Sequence, residues 1–171
     1  MEGLSLSEFT RKIYLKAPLE TVYRCWATEA GLCDWFLRTA SFTEPSGRRR
    51  RPDETAEAGD EYAWQWYNWE GTETGTLLQA NGADLLEFGF AGNSRVEIRL
   101  ESRADAVLLT LRQYNIPTDP ESTLNIHFGC SNGWTFWLAN LKAWLEHGIH
   151  LGERSFDLTD DPLAGLFYVN M

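Results

Sequence analysis

The sequence predicts an α+β fold, in which a curved antiparallel sheet of about six or seven strands wraps one long C-terminal helix. Three observations predict it. Trp134, Trp137, Leu138, Leu141, Trp144 and Leu145 recur at three- and four-residue steps, which places them on one stripe of an α-helix. The segment from Arg95 to Glu101 alternates charged and apolar residues strictly, the period of a strand with one face in the core. The strand-like segments are joined by short connections, which favour antiparallel neighbours. The helical stripe is wide and aromatic, so a large apolar surface must face it, and the sheet is the candidate.

Each element has its own reason. Phe9 to Lys16 alternates as a first strand, and Ala17-Pro18 stops it because proline cannot donate to a ladder. Leu19, Val22, Tyr23 and Trp26 follow at helical spacing. A second short helix starts at Thr28 as N-cap and carries Leu32, Trp35 and Phe36. Thr39 to Thr43 is a short strand. Glu44 to Gly59 is polar, with two prolines and two glycines, and reads as a mobile loop. Glu61 to Trp69 is a strand with Tyr62, Trp64 and Trp66 on one face. It turns at Glu70-Gly71-Thr72 and returns over Thr74 to Ala80.

Asn81-Gly82 marks a hairpin, since both residues tolerate positive φ. Asp84 to Phe90 then puts Leu86, Phe88 and Phe90 on one face. After Ala91-Gly92-Asn93 comes the strand Arg95–Glu101, with Val96, Ile98 and Leu100 inward. A turn at Asp105 leads to Val107, Leu109 and Leu111. The last helix is expected from Asp119 as N-cap and Pro120 at its first position. In it Leu124, Phe128, Ser131, Leu138, Leu141 and Leu145 stay roughly in phase. Gly129 and Gly133 each cost about 1 kcal/mol inside a helix, so they mark a close approach to the sheet or a bend. Gly148 is the expected stop.

The chain of 171 residues reads as one domain, with a core over about residues 8–148 and a tail over 149–171. Phe156, Leu158, Leu163, Leu166, Phe167, Tyr168 and Val169 make that tail apolar enough to cover a cavity mouth or to pair two copies as a homodimer. Aromatic residues form 13% of the chain and eight are tryptophan, so rigid rings line the interior. A formal net charge of −10 argues against nucleic acid and anionic membranes, which need a basic face. Cys25, Cys33 and Cys130 form no paired framework and no zinc pattern, so free thiols in a reducing compartment are expected. No signal peptide and no membrane-inserted helix are expected, which places the protein in the cytoplasm.

Three motifs carry a resemblance. Ile13 to Trp26 looks like the opening signature of the SRPBCC superfamily, Trp35-Phe36 like the pair that follows it, and Gly133-Trp134 with Leu138, Asn140, Leu141 and Leu145 like its closing helix. Together they resemble the branch related to the C-terminal domain of the activator of the ninety-kilodalton heat-shock-protein ATPase. The resemblance covers about Glu8 to Gly148 and implies the helix-grip fold of START-like proteins. Members bind lipids, sterols and polyketides, or act as cyclases, co-chaperones or stress-response proteins, so the fold leaves the choice open.

The inward rings Tyr62, Trp64, Trp66, Phe88 and Phe90 oppose Trp134, Trp137 and Leu141. They either line a ligand cavity or fill the space as core, where burying each stabilises by roughly 1.5–3 kcal/mol. The resemblance to a cavity-bearing superfamily moves the reading toward a cavity, which Ile98, Gln113 and His127 would also line. Asn125, His127 and Gln113 are its candidate polar contacts. His127 and Cys130 lie three residues apart, but no orienting carboxylate or third ligand joins them, so neither catalysis nor a metal is assigned. No cofactor is expected. Arg48 to Arg51 reads as a solvated loop lying against Asp53, Glu54, Glu57, Asp60 and Glu61, with binding of an anion or an acidic partner as the alternative. Arg95, Glu97, Arg99 and Glu101 are expected in cross-strand ion pairs on the outer face.

The function expected from these readings is a non-enzymatic START-like module binding a small apolar or amphipathic molecule between sheet and helix. A co-chaperone that regulates a heat-shock ATPase is the first alternative. A cyclase or hydrolase is the second, and it requires a polar cluster in the cavity.

Overall fold

The alternating segments fold as β1 (Phe9–Leu15), β2 (Thr39–Thr43), β3 (Glu61–Gln65), β4 (Glu73–Ala80), β5 (Leu85–Gly89), β6 (Arg95–Arg103) and β7 (Ala106–Tyr114). The helices are α1 (Leu19–Ala27), α2 (Glu29–Trp35), α3 (Pro120–Ser122), α4 (Ser131–His147) and α5 (Ala164–Phe167). The computed structural model describes residues 5–171, except for the side chain of Leu166. The first four residues of the segment read as lacking a leader, and the Leu166 side chain of the apolar tail, therefore lie outside the described residues.

The seven strands make one curved antiparallel sheet in the order β1-β7-β6-β5-β4-β3-β2. Register aligns like with like: Ile98 faces Leu111, Leu100 faces Leu109, and Phe88 faces Val96. All six side chains are buried. This is the helix-grip arrangement that the resemblance implies. Chain order explains it, because α1 and α2 carry the chain from one sheet edge, β1, to the other, β2. The strands then return one by one until β7 pairs with β1. The final helix lies along β1, where Lys142 Nζ donates to the Tyr14 carbonyl at 2.8 Å and Lys16 N donates to Glu146 Oε1 at 2.8 Å.

The predicted caps form. Thr28 Oγ1 accepts the Gly31 N–H at 2.9 Å, and Asp119 Oδ1 accepts that of Ser122 at 3.0 Å. Gly148 adopts φ 67°, a left-handed conformation that glycine reaches without a Cβ penalty. It ends α4 with Ile149 N reaching back to the Ala143 carbonyl. Gly75 has a different reason. A Cβ there would come within 2.6 Å of the Tyr62 ring, so its absence makes the seat for that ring.

Several expectations change. The first part of the last helix is π-helical over Thr123–Cys130, so the expected phase fails there. Its i→i+5 bonds take in more chain per turn than the 3.6-residue period assumes. Leu124 is 66% and Phe128 51% exposed, whereas Leu138 and Leu141 are buried. Gly129 and Gly133 do not approach the sheet, since a Cβ at Gly133 meets nothing within 4 Å and one at Gly129 meets only the Leu124 carbonyl at 3.7 Å. β3 stops at Gln65 rather than Trp69. The hairpin at Asn81-Gly82 has a four-residue loop, in which Asn81 Oδ1 accepts three successive N–H groups.

The loop after β2 is anchored, not free. Ala56 N donates to the Ala27 carbonyl at 2.7 Å, Ala30 N to the Pro52 carbonyl at 2.9 Å, and Thr43 bridges to Arg49. Arg50 departs from the solvated reading of its run. Its side chain is nearly buried and grips Asp60 with Nε at 2.5 Å and Nη2 at 3.1 Å. Asp60 is itself fully buried and also accepts the Glu57 N–H. Arg48, Arg49 and Arg51 are exposed and pair with Glu54, Glu29 and Asp53 or Glu54. On the outer sheet face, Arg99–Glu97 and Arg103–Glu101 pair along their own strand rather than across it. Arg95 does reach across, to the buried Glu87 at 3.7 Å.

Candidate functional site

The space between sheet and α4 holds a cluster of aromatic rings contributed from every side. β3 brings Tyr62 and Trp64, which stack at 4.2 Å, and Trp66 follows at the strand end. β5 brings Phe88, 5.1 Å from Trp64, and Phe90 lies just beyond it. α4 brings Trp134, 5.4 Å from Phe90, and Trp137. From the opposite wall come Trp26 of α1, Trp35 of α2 and Phe36 after it. Phe36 touches Trp26, Trp35, Trp64, Trp66, Trp134 and Trp137 at centroid distances of 4.9–6.5 Å. Most of these pairs are tilted or edge-to-face, the arrangement that ring quadrupoles favour.

Of the residues predicted for this site, Tyr62, Trp64, Trp66, Phe88, Phe90, Trp134 and Trp137 come together. Ile98, Leu141 and Gln113 are buried beside them. His127 is set apart in the π-helical segment, with its ring edge-to-face with Phe9 at 5.6 Å. Asn125 is exposed. Gln113 is committed at both ends: Nε2 donates to Ser94 Oγ at 2.9 Å, and Oε1 accepts Trp134 Nε1 at 3.0 Å. Trp35 Nε1 donates to the Cys25 carbonyl at 3.1 Å. Among the described residues, three buried side-chain nitrogens have no hydrogen-bond partner in the protein: Trp26 Nε1, Trp64 Nε1 and His127 Nδ1.

Burial pushes the Cys130 thiol up to about 11, against a weaker opposing hydrogen bond from Gln113, and pushes Cys25 up to about 12. Both are therefore neutral thiols at ordinary pH, the unreactive form. Two open surface depressions, of about 440 and 490 Å³, lie at Lys16–Leu19 with Ser102–Val107 and on the strands β2–β4. Among the rings above, only Tyr62 borders either of them.

The tail roofs one end of the cluster. Gly152 packs on Trp137, where its Cβ position lies 3.2 Å from the ring. Asn140, fully buried, donates through Nδ2 to the Trp35 carbonyl at 2.5 Å and accepts the Leu151 N–H at 2.6 Å. Asn68 holds the tail from the sheet side, donating to the Glu153 carbonyl and accepting the Leu158 N–H at 3.0 Å. Arg154 lies over the Tyr67 ring at 4.8 Å. Under this roof Trp66, Phe90 and Trp137 are half-buried, whereas Trp64 and Trp134 are buried.

Sequence reasoning left Trp26, Trp35, Phe36 and Asn140 off the site. Asn140 carried a readable signal, since it is a polar residue three and four positions from Trp137 and Trp144 in an apolar stripe. Trp26 and Phe36 carried none, because helical spacing says which face is inward but not what that face meets.

Known proteins share this architecture. A Staphylococcus saprophyticus protein superposes with a TM-score of 0.66 at 17% identity, over 84% of this chain and 94% of its own. The Aha1 dimer of Colwellia psychrerythraea gives 0.63 at 17% identity, over 82% and 97%. DynU16, from the dynemicin biosynthetic locus, gives 0.62 at 15% identity, over 83% of this chain and 48% of its own. No curated protein sequence matches. Residues 16–146 match the family described as Activator of Hsp90 ATPase homolog 1-like protein. That span runs from the end of β1 almost to the end of α4 and takes in all but the tail of the ring cluster's setting, so the chain belongs to this family.

Proposed function

We propose that the protein is a non-enzymatic carrier, holding a small apolar or amphipathic molecule against the ring cluster between sheet and α4. The observation that carries the reading is the convergence of rings from β3, β5, α1, α2 and α4, with a half-buried rim under the tail. Ligand sites are built of such apolar walls with few polar groups. The likeness to a protein of a biosynthetic locus supports a small-molecule role. Cys25, Cys33 and Cys130 are all free thiols, which fits the cytoplasm. Native mass spectrometry of protein purified gently from its own host tests the reading. An added mass released on denaturation is expected. Trp64→Ala and Trp137→Ala should then lose binding by about tenfold or more, while Arg99→Ala leaves it unchanged. Equal losses in all three would sink the carrier.

One observation favours a second reading, the family itself. A protein-interaction module acting on a heat-shock ATPase would stimulate ATP hydrolysis by the cognate chaperone. Absence of both stimulation and co-purification removes it. A second copy of the chain is a further candidate partner, since the Colwellia relative is a dimer and the tail exposes Phe156, Phe167 and Val169. Light scattering after size exclusion decides that point.

A further inference from the structure

The ring cluster contains an internal contrast. Four of its tryptophans are buried: Trp26, Trp35, Trp64 and Trp134. Two have paired indole N–H groups, Trp35 with the Cys25 carbonyl and Trp134 with Gln113. Trp26, 3% exposed, and Trp64, 1% exposed, have none. Buried donors are almost always satisfied, and one left alone calls for an explanation. Both unpaired tryptophans flank the same ring, Phe36, at 6.5 and 6.0 Å. Both sit inside the ring cluster from which the carrier reading draws its binding surface, where neighbouring rings pack at 4.2–6.5 Å, so a ligand reaches them by parting those rings.

The chemistry of the donor narrows the ligand. An indole N–H only donates, so its partner must be an acceptor. Among the described residues no cation lies over either tryptophan, and burying an unpaired carboxylate is costly, so the acceptor is a neutral oxygen. Rings surround both donors: Tyr62, Phe88 and Phe36 around Trp64, and Trp35, Phe36 and Trp134 around Trp26. A flat ligand complements such walls best. We propose that the cluster takes a planar aromatic molecule carrying a neutral oxygen acceptor, a carbonyl or ether, which receives the N–H of Trp64 or Trp26. The competing fate of these donors is a weak N–H···π contact with an edge-on neighbour such as Trp35 or Phe88. In that case the ligand gains nothing from an oxygen.

The inference rests on the carrier reading, and one pair of probes separates the two. 2-Acetylnaphthalene and 2-ethylnaphthalene have nearly the same shape, and only the first has an acceptor. Titration calorimetry on the full chain should show the acetyl compound binding about tenfold tighter, the factor one recovered buried hydrogen bond supplies. Trp64→Phe or Trp26→Phe, which keeps a ring and removes the N–H, should bring the two affinities together and so identify the donor. Equal binding of both probes by the unaltered protein, or a preference that survives in both variants, overturns the acceptor and leaves the carrier standing. Failure of both probes to bind overturns both. Where a variant does not fold, the indole N–H resonances of the unaltered protein serve instead. The acetyl probe should shift one of the two unpaired N–H signals downfield, and the ethyl probe should not. Equal shifts from both probes count against the acceptor.

Discussion

The two halves of the C-terminal helix have similar apolar content and opposite fates. In the π-helical half, Leu124, Ile126, Phe128 and Cys130 fall at every second position, and none of these residues is fully buried. In α4 the apolar residues fall at three- and four-residue steps, and Trp134, Leu138 and Leu141 are buried. Alternate positions on a helix point to different sides, so the first half splits its apolar residues: Ile126 and Cys130 pack partly against the core, while Leu124 and Phe128 face outward. Apolar residues alone therefore do not dock a helix; their spacing must match its hydrogen-bond ladder.

The strongest way to break this comparison is to truncate one ring on each side of it. Trp134→Ala removes a buried ring and leaves Gln113 Oε1 unpaired, so urea denaturation should show a loss of about 3–5 kcal/mol. Phe128→Ala should stay within about 0.5 kcal/mol. Comparable losses would mean that the outward side of the π-helical half, at Phe128, is docked after all. Next in size is Asn140→Ala. It strands the Trp35 carbonyl and the Leu151 N–H, at a cost of about 1–3 kcal/mol. Limited proteolysis should then cut first in the tail after Gly148, and an unchanged pattern would show that Asn140 does not hold the tail.

The buried thiols sharpen the comparison through pH. Each folded thiol lies above its ordinary 9.0, at about 12 for Cys25 in α1 and about 11 for Cys130 in the π-helical half. The unfolded chain thus releases protons that the folded chain keeps. This stability is full below pH 9, and falls as pH rises through 11 and toward 12. Cys25→Ala should flatten that alkaline decline more than Cys130→Ala, read as the melting midpoint across pH 8–11. The smallest expected effect is a gain. Gly133→Ala in α4 meets open space and should stabilise by about 0.5–1 kcal/mol. The same change at Gly129 should give less, because helix propensity is defined for the α ladder.

Much of the fold was legible because it rests on period and on caps. The alternation of β6 and the caps at Thr28, Asp119 and Gly148 are local, and all formed as the residues imply. The π-helical segment was not legible, because its residue types suit a strand or an α-helix equally. Arg50 was hidden among three identical neighbours, and only the fold reveals which of the four grips Asp60. The site was half legible. Spacing identified the sheet and helix rings that face inward, but not how closely they meet or that Trp26 and Phe36 close the far wall.

The anchored loop after β2 has a consequence for the life of the protein in solution. An outer strand with open N–H and C=O groups invites a strand from another molecule and seeds aggregation. Here Arg50 N donates to the Phe42 carbonyl, Glu44 N donates to the Arg48 carbonyl, and Thr43 is bridged by Arg49. The arginine run thus occupies part of the border where a foreign strand would add, while α4 shields the opposite border at β1. The buried Arg50–Asp60 grip keeps that guard in place, so its loss would be felt first as precipitation at high concentration.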